Sequence, residues 1–161
     1  IFVTVAHRVS NESGLQLLEE QDIAYLPGSA TPAAPLPTQA TVPKADSSRE
    51  VCPDERMLFR FSALTFNSHR IHYDLPYARS EGYPGLVVHG PLVATLLMDL
   101  CRREQPELVL RRFDYRAVSP LFDTAPFTVN GRPSDNGRAA ELWAASADGR
   151  LSMTADAEFA T

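Results

Sequence analysis

The segment Asn67-Ser68-His69-Arg70-Ile71-His72-Tyr73-Asp74 crowds two imidazoles, a guanidinium, a carboxylate and a carboxamide into one short stretch. A histidine with an ordinary pKa of about 6.5 is the natural proton acceptor at neutral pH, which makes His72 the leading candidate for a general base. Asn67 can donate to a water and accept from it, but it cannot remove a proton. Asp74 can orient His72 or cap local backbone; if the segment is extended, the two share a face. Further along, His89-Gly90-Pro91 opens an apolar helical pattern. Gly90 lets a carbonyl approach the backbone, and the N–H groups of Gly90 and Leu92 sit at a helix N-terminus, where negative charge is stabilised. Pro91 suits the first turn, because its missing N–H costs nothing there. Together the two segments read as acid–base chemistry beside a carbonyl. Each also has a plainer reading by itself: a solvated or core histidine, and a Gly-Pro helix entry with a structural role.

Elements must bring these residues together. Ile1 to Val5 alternates and is β-branched, Ser10 to Gly14 is turn chemistry, and residues 1–26 read as two strands of a hairpin. Such a hairpin is marginal alone and must pack on something else. Residues 27–56 are rich in Pro, Ala, Thr and Ser and read as a linker between two structural units. From Met57 the pattern is denser. Leu58 to Leu64 reads as a strand, Thr65 to Gly85 as loop with a helical turn at Pro76 to Ser80, and Leu92 to Arg103 as a helix. Strand patterns follow at Leu108–Val118, Ala125–Asn130, Ala139–Ala147 and Leu151–Phe159, with hairpin turns at Asn136-Gly137 and Asp148-Gly149. This is an α+β pattern, satisfied economically by one central helix wrapped by a curved antiparallel sheet.

Composition narrows the function classes. Apolar residues make up 44% and charged residues 22%, so a packed core is expected and wholesale disorder is not. The formal net charge of −5 argues against a general binder of nucleic acid. Arg102-Arg103, Arg111-Arg112 and Arg116 can meet the phosphates of a carrier or simply face solvent. Cys52 and Cys101 fit no zinc spacing, so no metal is expected, and they read as free thiols of a reducing compartment. No apolar run reaches membrane-spanning length. The chain opens at Ile1 rather than Met, and the expectation is that it begins inside a longer protein.

Residues 67–74 resemble the signature Asp-x-Asn-Pro-aliphatic-His-x-Asp/Glu of the MaoC-like (R)-specific enoyl-CoA hydratases, with Ile71, His72 and Asp74 in register. The runs Phe61 to Asp74 and Glu81 to Leu92 are similar to the branch that holds mesaconyl-C4-CoA hydratases and mitochondrial 3-hydroxyacyl-thioester dehydratases. The resemblance implies a hot-dog fold, as the C-terminal half of a double hot-dog. Residues 1–26 would be the closing strands of a preceding domain, and residues 57–161 the catalytic domain. It implies reversible hydration of a 2-enoyl thioester carried on coenzyme A or acyl carrier protein, with no cofactor. Where the general signature has Asp, Asn and Pro, this chain has Asn67, His69 and Arg70. His72 then carries the proton transfer, Asn67 holds the water, and Gly90 stabilises the enolate oxygen. His69, Arg70, Tyr83, His89 and Leu92 are expected to contact the substrate. His69 and Arg70 would suit a dicarboxylic acyl group such as mesaconyl. The implied partner is the first hot-dog domain, another hot-dog subunit or a second copy, in the cytoplasm or the mitochondrial matrix. Two further readings stay open: an acyl thioesterase, although its usual carboxylate near the helix is not evident around His89-Gly90, and a non-catalytic acyl-binding or assembly subunit.

Overall fold

The computed structural model describes residues 1–25, 42–134 and 137–160. Two compact units emerge, the N-terminal hairpin and everything from the first strand of the larger sheet onward. In the hairpin, β1 (Phe2–Asn11) pairs antiparallel with β2 (Gly14–Ala24). Gly14, at φ 100°, takes the turn position that a side chain would strain. The expected pair of strands is therefore present.

The second unit is built on a five-stranded antiparallel sheet. Its strands are β3 (Ser47–Val51), β4 (Val109–Ala117), β5 (Phe127–Pro133), β6 (Ala139–Ser146) and β7 (Leu151–Ala160), in the spatial order β3-β5-β6-β7-β4. Strand β7 shows why this sequence makes a sheet. Met153, Ala155, Ala157 and Phe159 are buried, and Thr154, Asp156 and Glu158 between them are exposed. The turn between β6 and β7 carries Gly149 at φ 77°, as the Asp148-Gly149 pair predicts. Asn136 of the other expected turn lies outside the described residues, while Gly137 has φ 67°.

The central helix α3 (Gly90–Glu104) packs on β4 to β7. Leu92, Val93, Ala94, Leu97, Leu100 and Cys101 form its buried face. At Gly131 on β5, a Cβ would sit 3.4 Å from Leu100 Cδ2 and 3.3 Å from Ser47 Oγ, so the glycine sets how closely helix and sheet approach. Arg102 and Arg103 at the helix end, with Arg49 from β3, all bind Asp99 and hold its carboxyl far below the usual carboxylate range. Arg112 pairs with Asp114. The arginine clusters are thus largely engaged with the protein's own carboxylates.

Two expectations change. Leu58 to Leu64 is not a strand but the body of helix α1 (Glu55–Thr65). Asp54 caps it, accepting from Met57 N at 2.7 Å, and Leu58 and Ser62 are buried one turn apart on one face. The run contains no β-branched residue to favour a strand. Second, the segment 27–56 is not linker throughout. Residues 27–41 lie outside the described residues, but β3 pairs with β5 from Ser47 to Val51. Helix α1 and the short α2 (Leu75–Ser80) accompany the central α3. The helical turn expected at Pro76 to Ser80 is α2. Among the described residues no helix is long and apolar enough to cross a membrane.

Helix α1 ends on Phe66, which has the left-handed φ of 54° and is 95% exposed. Asn67 N then reaches back to Ser62 O at 2.9 Å, closing the helix end and launching the chain toward His72. Glycine is the usual occupant of such a position, since a Cβ there costs about 1 kcal/mol. Phe66→Gly is therefore expected to raise the unfolding free energy by roughly 1 kcal/mol in urea titration.

Candidate active site

The chemistry-bearing segment folds as one turn of 3-10 helix, Arg70–His72, between α1 and α2. It is not extended, so Asp74 does not share a face with His72. Asp74 instead caps α2, accepting from Tyr77 N at 3.1 Å, and binds Arg70 Nε at 3.0 Å and Nη2 at 2.7 Å through one oxygen. The Arg70 guanidinium also lies 4.4 Å over the Tyr77 ring. These contacts hold the Asp74 carboxyl below its ordinary value and commit part of the Arg70 charge. Arg70 Nη1 makes no hydrogen bond among the described residues.

His72 is buried, at 8% exposure. Its Nδ1 lies 2.7 Å from the carbonyl oxygen of Val87. A carbonyl only accepts, so Nδ1 carries the proton and Nε2 is left as the basic lone pair. Nε2 has no hydrogen-bond partner among the described residues. Burial pushes the imidazole below its ordinary pKa, partly offset by the Val87 bond, and nearby His69 adds a smaller push the same way. His72 is therefore neutral, and so able to act as a base, at neutral pH.

Asn67 is half-buried, and its Oδ1 accepts from His69 N at 3.0 Å. That bond fixes the carboxamide and turns Nδ2 into its free donor. His69 is exposed and stands edge-on to His72, with ring centroids 5.6 Å apart. Tyr83 is half-buried and packs against the core beside Phe122. Gly90 begins α3 and lines an open cleft with Val118, Ser119, Pro120 and Ser152. A Cβ on Gly90 would meet nothing within 4 Å. The N–H groups of Gly90 and Leu92 belong to the first turn, which offers them no acceptor within the helix.

Two residues expected to contact substrate do something else. The Leu92 side chain is 7% exposed and belongs to the hydrophobic core. His89 is completely buried and stacks on His72, with centroids 3.7 Å apart and planes 17° off parallel. Its Nε2 lies 2.8 Å from Ser62 Oγ, and its Nδ1 is buried with no hydrogen-bond partner among the described residues. Reasoning from sequence missed Ser62 and the Val87 carbonyl. A helical reading of residues 55–65 would have put Ser62 on the same inward face as Leu58.

Burial, and then the neighbouring His72, push His89 down to about 4. A histidine that resists protonation in the fold but accepts it at about 6.5 when unfolded makes the unfolded chain the better proton binder. Its contribution is fully present above pH 6.5 and is lost as pH falls toward 4. Fully developed, the loss is on the order of 3 kcal/mol. Urea unfolding should thus show stability falling across this window, and His89→Phe should flatten the fall.

The geometry now has counterparts. Residues 1–123 match the family described as hydroxyacyl-thioester dehydratase type 2. The mesaconyl-C(4)-CoA hydratase of Chloroflexus aurantiacus is 49% identical over 158 residues, covering 98% of this chain and 55% of that protein. The mitochondrial hydroxyacyl-thioester dehydratase type 2 of Schizosaccharomyces pombe is 41% identical over 80 residues, 48% of this chain and 27% of that one. The chain therefore spans about half the length of the first relative and less of the second. Among solved structures, the (R)-hydratase from A. caviae involved in PHA biosynthesis superposes with a TM-score of 0.61 at 17% identity, covering 73% of this chain and 96% of that one. An antiparallel sheet against a central helix, with these matches, shows that the chain belongs to the hydroxyacyl-thioester dehydratase type 2 family of MaoC-like hot-dog proteins.

Proposed function

We propose that the protein adds water reversibly across the double bond of a 2-enoyl thioester, or removes it from the 3-hydroxyacyl product. The observation that carries this reading is the state of His72: buried, neutral, its tautomer set by Val87 O, and its Nε2 lone pair unspent. The names of the relatives point the same way.

In this reading a water donates to His72 Nε2 and accepts from Asn67 Nδ2. Its oxygen attacks the β-carbon while His72 takes the released proton, and the electron pair of the double bond moves to the thioester as an enolate. The Gly90 N–H and the positive end of the α3 dipole stabilise the enolate oxygen, a kind of contact worth on the order of 3 kcal/mol of barrier. His72 then returns a proton to the α-carbon. The net change is one water added, with the imidazole regenerated. The residues named supply every proton transfer, so the reading needs no metal, flavin or nicotinamide. The substrate is carried on coenzyme A or acyl carrier protein.

A short dicarboxylic acyl group such as mesaconyl is favoured by the 49% identical relative and by Arg70, whose Nη1 stays available beside His69. A complete site is read as a pair of hot-dog units, the second being a preceding domain of the same protein, another subunit or a second copy. The compartment is read as cytoplasmic, with the mitochondrial matrix as the alternative suggested by the yeast relative.

The test is hydration of mesaconyl-C4-CoA and crotonyl-CoA by the intact protein, with the product detected by mass. His72→Ala should lower turnover roughly 10²–10⁴-fold on both substrates; turnover equal to the parent's would sink the assignment. Arg70→Ala should raise KM for the dicarboxylic substrate at least several-fold and leave crotonyl-CoA nearly unaffected. Equal effects on the two would remove Arg70 from substrate selection.

A further inference from the structure

We infer that Ser62 and His89 are a buried positioning pair for His72: the Ser62 hydroxyl fixes the His89 ring, and that ring fixes the plane of His72 and keeps water off its face. This rests on reading His72 as the base. Ser62, on α1, is 5% exposed, and His89 is not exposed at all. The 2.8 Å contact between Ser62 Oγ and His89 Nε2 joins the first helix to the entrance of the central one. The two imidazoles lie almost parallel at 3.7 Å, and Phe61 stands edge-on to His89 at 4.9 Å.

Hydrogen-bond accounting gives the direction of the Ser62 contact. Thr65 and Thr95 donate to the carbonyl one turn earlier, to Phe61 O and Pro91 O. Ser62 makes no such bond, so its hydrogen is available for His89. If Ser62 donates to Nε2, the only unmatched group is the His89 Nδ1–H. If Nε2–H donates instead, both Nδ1 and the Ser62 hydrogen are left unmatched. The first arrangement wastes less. It still leaves a buried N–H without a partner, which costs about 1–3 kcal/mol. The fold alone gains nothing from that, and an apolar ring of the same shape would pack at least as well. The imidazole is explained by the residue it stacks on.

The groups facing His72 are few. His69 stands beside it, His89 faces it from the entrance of α3, and Arg70 and Asp74 on the same segment pair with each other through Arg70 Nε and Nη2. Burial and the neighbouring His72 push His89 down to about 4, so at neutral pH it faces His72 as an uncharged ring and acts by excluding water rather than by charge.

The experiment uses the intact protein and crotonyl-CoA, with kcat, KM and the acid limb of the pH profile measured for Ser62→Ala, Ser62→Thr and His89→Phe. Alanine is the better helix former, and Ser62→Thr separates loss of the hydroxyl from any loss of folding in Ser62→Ala. It should lower kcat roughly tenfold or more with KM little changed, because a displaced base loses its alignment. It should also move the acid limb up toward that of an ordinary imidazole. Ser62→Thr, which keeps the hydroxyl, should recover most of both. His89→Phe should keep the wall but lose the anchor, giving parent-like or higher thermal stability with reduced kcat. NMR titration of the His72 ring in Ser62→Ala should report the same upward shift without turnover. Parental kcat and acid limb in Ser62→Ala would overturn the inference while leaving His72 as the base. Undiminished turnover in His72→Ala would instead overturn the reading beneath it.

Discussion

The strip Leu86-Val87-Val88 is hydrogen-bonded along both of its edges, and the site hangs from it. On one side Val88 N reaches Leu121 O at 2.9 Å and Asp123 N reaches Leu86 O at 3.0 Å, while the Asp123 carboxylate accepts from Leu86 N. On the other, Val87 N binds Ile71 O at 3.0 Å and Val87 O takes the His72 proton contact. Three short backbone residues thus tie the turn that carries His72, the loop before β5 and the start of the central helix to one frame. Gly85 marks how tight that frame is, since a Cβ there would collide with the Asp123 and Thr124 side chains.

Within the frame, burial decides the electrostatics. Desolvation dominates at both His72 and His89, and it outweighs the favourable backbone contact that His72 receives. The carboxylate nearest in sequence, Asp74, is occupied by Arg70 and the start of α2, so it supplies no counter-charge to the imidazole. A base whose charged form is disfavoured is weaker but fully available at neutral pH, and a charge formed during reaction is readily given up again. The unmatched His89 nitrogen shows stability being forgone at the same place.

Much of the fold could be read from the chain, for reasons that differ by element. Strand β7 alternates cleanly and α3 carries a wide apolar face entered through Pro91, so local pattern and tertiary role agree. Helix α1 is hard to see in the chain because Leu-Phe-Arg-Phe mimics alternation, while its real signal, the Asp54 cap, lies just upstream. Strand β3 hides in a stretch of Pro, Ala and Ser, since an edge strand paired on one side needs little apolar content. At the site, His72 and Asn67 stood out by type and spacing. Of the two roles open to Asp74, the structure takes the backbone cap, because the segment coils and its carboxylate meets Tyr77 N and Arg70 rather than His72. Helical spacing from Leu58 marks Ser62 as inward-facing but not what it meets, because its significance is a contact made across 27 positions of sequence.

The group that selects the His72 tautomer is a main-chain carbonyl, and it sits on the residue bridged to Phe122. Every amino acid carries that carbonyl. Position 87 can therefore change its side chain without altering the proton assignment on His72, provided the local backbone path is kept. A residue-by-residue substitution survey would score this position for packing alone and pass over its chemical role. What is inherited at this point in the chain is a direction in space, encoded by neighbours that hold the strip in place rather than by the letter at position 87.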